Sequence, residues 1–197
     1  MIGAKHLRRN RSTAESGDDQ AAREPAEGSF AASVVTHHAQ RTANGCVPAC
    51  LVMVLQARGI AVDAFDLEAR LQPSPRGVSF TSAQAHLLGP PSELIQTDPT
   101  DPRTIPWIRA RLQERSLLVV QVFSAKMAAV AVTAGLGAGP HGDLPSGPGW
   151  LHAVVVASAT ATGFILHDPW FDRGQPMEMS FVDFAEALHA DVIVVRG

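Results

Sequence analysis

Three side chains in this sequence are of the types that catalyse acyl transfer: Cys46, His152 and Asp168. A cysteine thiolate attacks a carbonyl carbon, an imidazole takes up and returns the proton, and a carboxylate orients the imidazole. Gln40 lies six residues before Cys46. From there its side-chain amide could donate a hydrogen bond to the oxyanion, together with the backbone N–H of Cys46. The pattern predicts a cysteine-nucleophile enzyme.

Cys46 begins an apolar segment with helical periodicity that is predicted to run to about Ala57. Pro48 falls in the first turn, where its missing N–H costs little, and Gly59 suits a left-handed C-cap. A thiol at the start of a helix lies near unpaired N–H groups and the positive end of the helix dipole, which favour the thiolate. Cys50 lies beside the apolar face, so we expect it to be a core residue.

His152 and Asp168 fall on the two strands of a predicted β-hairpin. Two apolar segments between residues 150 and 167 read as strands, and Thr160–Gly163 is the turn between them. With the turn centred near residue 161, position 152 faces a partner near position 170. Asp168 is then one diagonal step from that partner. The hairpin alone therefore predicts a carboxylate beside the imidazole.

The remaining pattern alternates between helices and strands around these two parts. Helices are predicted over 64–71, from 79 or 81 to 88, over 105–115 and over 180–189, and strands over 94–96, 117–123 and 192–195. Residues 33–38 are predicted to form a short strand or an extended lead-in.

Residues 124–149 break this pattern, because Gly and Pro are concentrated in their second half. Such a segment predicts a long irregular insertion of the kind that forms lids and binding loops. It holds no GxxxxGK[ST] motif for phosphate. His141 and Asp143 form a histidine–carboxylate pair within it, but a loop does not hold such a pair in fixed geometry, so neither is assigned a catalytic role.

Composition excludes several other classes of function. The net charge of −3 gives no basic surface, so nucleic acid is not an expected partner. No Cys/His set has zinc-binding spacing, and the adjacent His37 and His38 point to opposite faces of an extended segment. Two cysteines four residues apart on a helix are poorly placed for a disulfide. We therefore expect neither a metal nor a cofactor.

The N-terminal residues and the hydropathy of the sequence lead to an expectation about where in the cell the protein is located. Residues 1–29 carry few large apolar side chains and are predicted to be a disordered or loosely attached tail before a domain over residues 30–197. No signal peptide and no apolar run of about 18 residues is present. We expect a protein that is cytoplasmic where it is made, without a membrane span. A secreted or delivered effector would use a route that is independent of a signal peptide, with the tail joining a fusion or delivery partner.

In combination, these motifs resemble those of the bacteriocin-processing, double-glycine leader peptidases, which belong to the papain-like cysteine protease superfamily. The resemblance covers about Ala39 to Arg196. Its main blocks, in the family's order, are Gln40–Gly59 with the cysteine, Gly149–Val156 with the histidine and Ile165–Trp170 with the aspartate.

The resemblance implies a papain-like α+β fold, with a helical half that carries Cys46 and an antiparallel sheet half that carries His152 and Asp168. It implies Cys46 as nucleophile, His152 as general base and acid, Asp168 as the residue that orients the imidazole, and Gln40 as oxyanion-hole donor. The insertion at 124–149 is longer than the family's usual link.

Three hypotheses follow for the function. The first is a cysteine endopeptidase acting on a peptide or protein substrate, in peptide maturation or as an effector or toxin protease. The second is an acyltransferase or amidohydrolase that uses the same triad on a non-peptide or side-chain amide. The third is a non-catalytic peptide-binding module, which would need neither the nucleophile nor its base.

Overall fold

The computed structural model describes residues 34–71, 73–75, 77–85, 91–147, 149–172 and 176–197. The predicted tail, residues 1–29, lies outside them, as does the predicted end of the third helix near residue 88. The predicted α+β class is confirmed. The elements are α1 (Cys46–Ala57), α2 (Ala64–Leu71), α3 (Phe80–Ala85), β1 (Ser92–Gln96), α4 (Thr104–Gln113), β2 (Leu117–Phe123), α5 (Ser124–Thr133), β3 (Leu151–Ala159), β4 (Gly163–His167), β5 (Met177–Ser180), α6 (Phe181–Ala187) and β6 (Leu188–Val195).

The strands form one six-stranded antiparallel sheet in the order β1-β6-β2-β3-β4-β5. Helices cover both of its faces. Alternate strand residues such as Leu117 and Val119 pack with α1, α2 and α3, whereas Leu118 and Val120 pack with α4, α5 and α6. Because both faces are buried, β2 is apolar at every position except Gln121 rather than alternating.

Helix α1 has the bounds that the sequence predicted and is buried on most of its surface. Its residues from Val47 to Leu55 are all buried, and Cys50 is fully inaccessible, which confirms it as a core residue. The helix ends in a Schellman motif: the N–H of Ile60 donates to the carbonyl of Leu55, and Gly59 takes a φ of +73°. A glycine is favoured there because other L residues rarely adopt that conformation.

The ladder between β3 and β4 changes register by one residue. Next to the turn, Ser158 pairs with Ile165, whereas beyond it Val156 pairs with Leu166. Ala157 is the extra residue in β3, as in a β-bulge. Beyond the bulge, each β3 residue pairs with the β4 residue one position earlier in the sequence than it would without the extra residue.

This offset shifts the residues that lie opposite the start of β3. The last pair of the ladder is Val155 with His167, and an extension of that register by three residues points from His152 to position 170, the position that the sequence predicted. Without the offset, the same extension points to position 171. The ladder itself stops at His167, and Asp168 is the first residue after β4.

The structure corrects the expectation of an irregular insertion. Residues 124–149 are not irregular throughout, because Ser124–Thr133 forms α5. Its alanines and Lys126 favour a helix, and Met127 and Ala131, four residues apart, are both buried. Strand β5, which pairs with β4, was not predicted, and residues 34–40 form an extended lead-in without regular structure. Among the described helices, none has the length and apolarity that crossing a bilayer requires.

Candidate active site

The first residue of α1 is Cys46, one of the candidate site residues. The backbone N–H of Gly45 donates to the carbonyl of Thr42 at 3.0 Å, which closes the turn into the helix. A Cβ on Gly45 would approach Thr42 Oγ1 to 3.0 Å, so the turn has little room for a side chain. No N-cap side chain bonds to the first turn and no acidic residue lies in it. The half-buried thiol of Cys46 therefore lies at an uncapped positive helix end.

His152 and Asp168 form a buried hydrogen-bonded pair. Nε2 of His152 donates to Oδ1 of Asp168 at 2.7 Å, and each residue is only 4% exposed. The same Oδ1 accepts the backbone N–H of Trp170 at 2.8 Å. Because Nε2 is committed to the carboxylate, Nδ1 is the ring nitrogen that remains for Cys46, which lines the same cleft as His152. The carboxylate is thus hydrogen-bonded to an imidazole that lies beside the thiol.

Two opposing effects act on the pKa of His152. Burial disfavours the charged ring and lowers the pKa, but the charge of Asp168, its hydrogen bond and the contact with Cys46 together raise it to about 10. The surroundings of the ring thus favour its charged form. An imidazolium is the charge state that accompanies a thiolate nucleophile in enzymes of this chemistry.

Gln40 is held against the turn that leads into α1. Its Nε2 donates to the carbonyl of Thr42 at 2.8 Å, and its backbone N–H donates to the carbonyl of Pro169 at 2.7 Å. The residue is 3% exposed. One hydrogen of the side-chain amide is used by Thr42, and the second remains for another acceptor. The structure thus brings Gln40 close to both the cysteine segment and the aspartate segment.

A cleft of about 410 Å³ opens beside Cys46 and His152. Its lining also includes Asn44, Pro75, Leu144 and the residues around Trp150. Among the described lining residues, Cys46 and His152 are the only ones with an ionisable side chain. A larger cavity of about 790 Å³ lies between residues 134–138 and 176–178 and contains none of the four candidate residues. Since Cys46 and His152 line the smaller cleft, the chemistry points there, although Gln40 and Asp168 are not part of its lining.

Sequence reasoning assigned no role to Trp170, which the structure places against the histidine. Its ring is 2% exposed and packs edge-on against His152, with ring centroids 6.3 Å apart and planes at 84°. Its Nε1 donates to the carbonyl of Gly142 at 3.0 Å. The tryptophan thus forms an apolar wall beside the imidazole. The sequence feature that could have indicated this role is the position of Trp170 directly after Asp168-Pro169.

The other histidines near the site have packing contacts. His37 donates from Nε2 to the carbonyl of Phe171 at 2.7 Å, and its ring stacks on that of His167 at 6.2 Å. His141 contacts the ring of Trp170, whereas Asp143 is exposed. Within the described ranges, no group of three or more His, Cys, Asp or Glu side chains is arranged to hold a metal ion.

Comparison with solved structures identifies the fold. No family model and no curated protein matches the sequence. A double glycine motif protease from an AMS/PCAT transporter, in complex with its leader peptide, matches with a TM-score of 0.58 at 14% identity, covering 84% of this chain and 94% of that one. The peptidase domain of Streptococcus ComA, a bifunctional ABC transporter of quorum sensing, has a TM-score of 0.58 at 16% identity, covering 83% and 99%.

A putative C39-like peptidase from Bacillus anthracis matches with a TM-score of 0.56 at 16% identity, covering 84% of this chain and 96% of that one. At these identities the likeness concerns the fold. The chain has the papain-like arrangement of helices and antiparallel sheet found in double-glycine peptidase domains, as the sequence motifs implied.

Proposed function

We propose that this protein is a cysteine endopeptidase that cleaves a peptide or protein through a thioester intermediate. The observation that carries the proposal is the buried hydrogen bond between His152 and Asp168, with Cys46 beside the same imidazole in a cleft. A thiol at an uncapped helix start, next to a buried imidazolium, is an activated nucleophile.

The reaction begins when the thiolate of Cys46 attacks the carbonyl carbon of the scissile bond. The oxyanion accepts hydrogen bonds from the free amide hydrogen of Gln40 and from the backbone N–H of Cys46. His152 then protonates the departing amine, while Asp168 keeps the ring oriented. Water, deprotonated by His152, hydrolyses the thioester and regenerates the thiol.

The proposed substrate is an extended peptide segment with small, uncharged residues at the cleavage site. Apart from Cys46 and His152 themselves, the described lining offers no ionisable side chain to a substrate, and Gly77 and Gly149 contribute to it. One protein of similar fold was solved with a leader peptide and is a double glycine motif protease. A peptide with Gly-Gly before the scissile bond is therefore the first substrate to test.

The test uses quenched fluorescent peptides that carry either Gly-Gly or Ala-Ala at the same position, with products identified by mass spectrometry. We expect cleavage after Gly-Gly, no detectable cleavage by Cys46→Ala, and retained cleavage by the matched variant Cys50→Ala. Circular dichroism verifies that both variants fold. Activity that survives in Cys46→Ala would exclude the proposal.

The products also separate the alternative chemistries. Two shorter peptides indicate hydrolysis, whereas a product with a new amide, formed when an amine such as glycinamide is added, would identify acyl transfer instead. Peptide binding without any product, unaffected by substitution of Cys46, His152 or Asp168, would identify a binding module.

A further inference from the structure

Residues Gly139–Gly142, here called the clasp, form a tight hairpin within the Gly/Pro-rich segment. The N–H of Gly139 donates to the carbonyl of Gly142 at 2.9 Å, and the N–H of Gly142 donates back to the carbonyl of Gly139 at 3.0 Å. Gly142 has a φ of +89°, which L side chains rarely adopt. The clasp is therefore a defined local structure that can present His141, the residue inside it, in one direction.

His141 contacts the backbone of Gln40. Its Nε2 lies 3.2 Å from the carbonyl oxygen of Gln40. A carbonyl can only accept, so Nε2 carries the hydrogen, and the bond exists in both the neutral and the charged ring. In the described part of the chain, no other group donates to this oxygen. Gln40 is 3% exposed, so a carbonyl without that donor would lose a hydrogen bond in a largely buried setting.

The clasp is also fixed to Trp170. The carbonyl of Gly142 accepts the indole N–H of Trp170 at 3.0 Å, and the rings of His141 and Trp170 meet at an angle of 69° with centroids 5.9 Å apart. Gly139 lies so close to Trp170 that an added Cβ would be 2.2 Å from its carbonyl oxygen. Trp170 in turn packs against His152. The clasp thus contacts Trp170, the side chain that packs against the imidazole of His152.

These contacts connect three segments of the chain. The N–H of Gln40 donates to the carbonyl of Pro169, which precedes Trp170, and the C=O of Gln40 accepts from His141, whose clasp accepts the indole N–H of Trp170. Both polar groups of the Gln40 backbone are therefore held by the segment that follows Asp168 or by the clasp. The backbone from which the Gln40 side chain projects is thus fixed by two hydrogen bonds.

We propose that His141 is a positioning residue, which holds the backbone of Gln40 so that the Gln40 amide faces the oxyanion. The inference rests on the proposed function, because it assigns His141 a part in the same reaction. In this proposal the clasp, which lies within residues 124–149, supports the oxyanion hole by holding Gln40 in place. His141 does not touch the reacting atoms, and its Nε2 is occupied by Gln40.

The experiment compares His141→Ala with His141→Gln, whose amide N–H can replace the imidazole donor. Steric variants provide an independent pair: Gly139→Ala drives a Cβ into Trp170, whereas Gly137→Ala adds one where nothing lies within 4 Å. Three quantities are measured: kcat and KM on the Gly-Gly peptide, the rate of Cys46 alkylation by iodoacetamide, and the ¹H–¹⁵N side-chain amide signals of Gln40, assigned by their loss in Gln40→Glu.

We expect His141→Ala to lower kcat about 10-fold, less than the roughly 10²–10³-fold loss that follows removal of an oxyanion donor itself. KM and Cys46 alkylation should stay unchanged, and the Gln40 amide signals should shift. His141→Gln and Gly137→Ala should resemble the wild type. Gly139→Ala should lower kcat and shift the Gln40 signals as His141→Ala does, and it should also slow alkylation because it displaces Trp170, which packs against His152.

Wild-type kcat and unshifted Gln40 signals in His141→Ala would overturn the inference, as would a loss of kcat accompanied by equally slowed alkylation, since that indicates general damage to the site. Failure of the wild type to cleave any peptide, with Gln40 signals that shift in His141→Ala and return in His141→Gln, would overturn the proposed peptidase function while supporting the positioning contact.

Discussion

Nε2 of His152, on β3, lies 2.7 Å from Oδ1 of Asp168, the residue that directly follows β4. The β3–β4 ladder that precedes this contact gains one residue at Ala157, which shifts its register by one position. The contact is buried, so the carboxylate acts on the ring in a medium that screens its charge weakly.

Replacement of Asp168 by Asn should lower kcat by about 100-fold or more, because an amide neither fixes the productive tautomer nor stabilises the imidazolium. The measurement is steady-state cleavage of the Gly-Gly peptide. Asp143→Asn, which changes an exposed carboxylate in the neighbouring loop, is the matched control and should retain wild-type kcat. Equal losses in both variants would contradict the assignment of Asp168.

The same contact predicts how stability depends on pH. The pKa of His152 is raised to about 10 in the folded protein, from 6.5 for an ordinary histidine. The stabilisation from its charged form is fully present below about pH 6.5 and is lost as the pH rises towards 10. Urea unfolding at pH 6, 8 and 10 should show the stability advantage of the wild type over Asp168→Asn shrinking with pH. A constant difference would count against the raised pKa.

His167 should act in the opposite direction. Burial, followed by the charge of His37, lowers the pKa of His167 to about 4, and its Nδ1 has no partner among the described residues. The unfolded chain therefore binds more protons between pH 6.5 and 4, and the free energy of unfolding should fall as the pH falls through that window. In His167→Phe, which retains a ring against His37, the fall should be smaller. An identical acid profile in urea titrations would refute this.

The two cysteines should differ sharply in reactivity. Burial, and then the nearby Cys46 and Asp168, raise the pKa of Cys50 well above its ordinary value. Limiting iodoacetamide at about pH 6 should therefore give a single adduct on Cys46, and the adduct should form more slowly in His152→Ala. Intact mass and peptide mapping measure both. Equal slow labelling of the two cysteines, indifferent to His152, would mean that the thiolate–imidazolium pair does not form.

Trp170 offers a stability test that is separate from the chemistry. Trp170→Phe keeps a ring beside His152 but loses the hydrogen bond to Gly142, which should lower the free energy of unfolding by about 1 kcal/mol. Trp170→Ala should cost about 3–5 kcal/mol because it opens a cavity. Denaturant unfolding with Trp107→Phe as control measures this. A cost for Trp170→Phe as large as for Trp170→Ala would show that the hydrogen bond outweighs the packing.

The parts of the site that were predictable are those with local signals. The helix at Cys46 follows from its apolar periodicity and Gly59, and the proximity of Asp168 to His152 follows from one hairpin turn. The bulge was not visible in the sequence. Centring the turn near residue 161 nevertheless gave the register that holds beyond Ala157, rather than the one that holds at the turn itself.

The unpredicted parts depend on contacts distant in sequence or on weak local signals. His141 and Gln40 are 101 residues apart in the sequence, and no motif or spacing predicts their contact. The helix at Ser124–Thr133 was not predicted because its small apolar residues adjoin a segment rich in glycine. Strand β5, with only four residues, is defined by its pairing with β4.

The position of β6 in the sheet has a consequence for the order in which the protein can assemble. The last strand in the sequence, Leu188–Val195, lies between β1 and β2 and pairs with both. During synthesis, Cys46, His152 and Asp168 all emerge before the strand that joins the two sides of the sheet. A nascent chain that carries these three residues without β6 still has an incomplete sheet, so the arrangement around them should become rigid only once β6 has left the ribosomal tunnel.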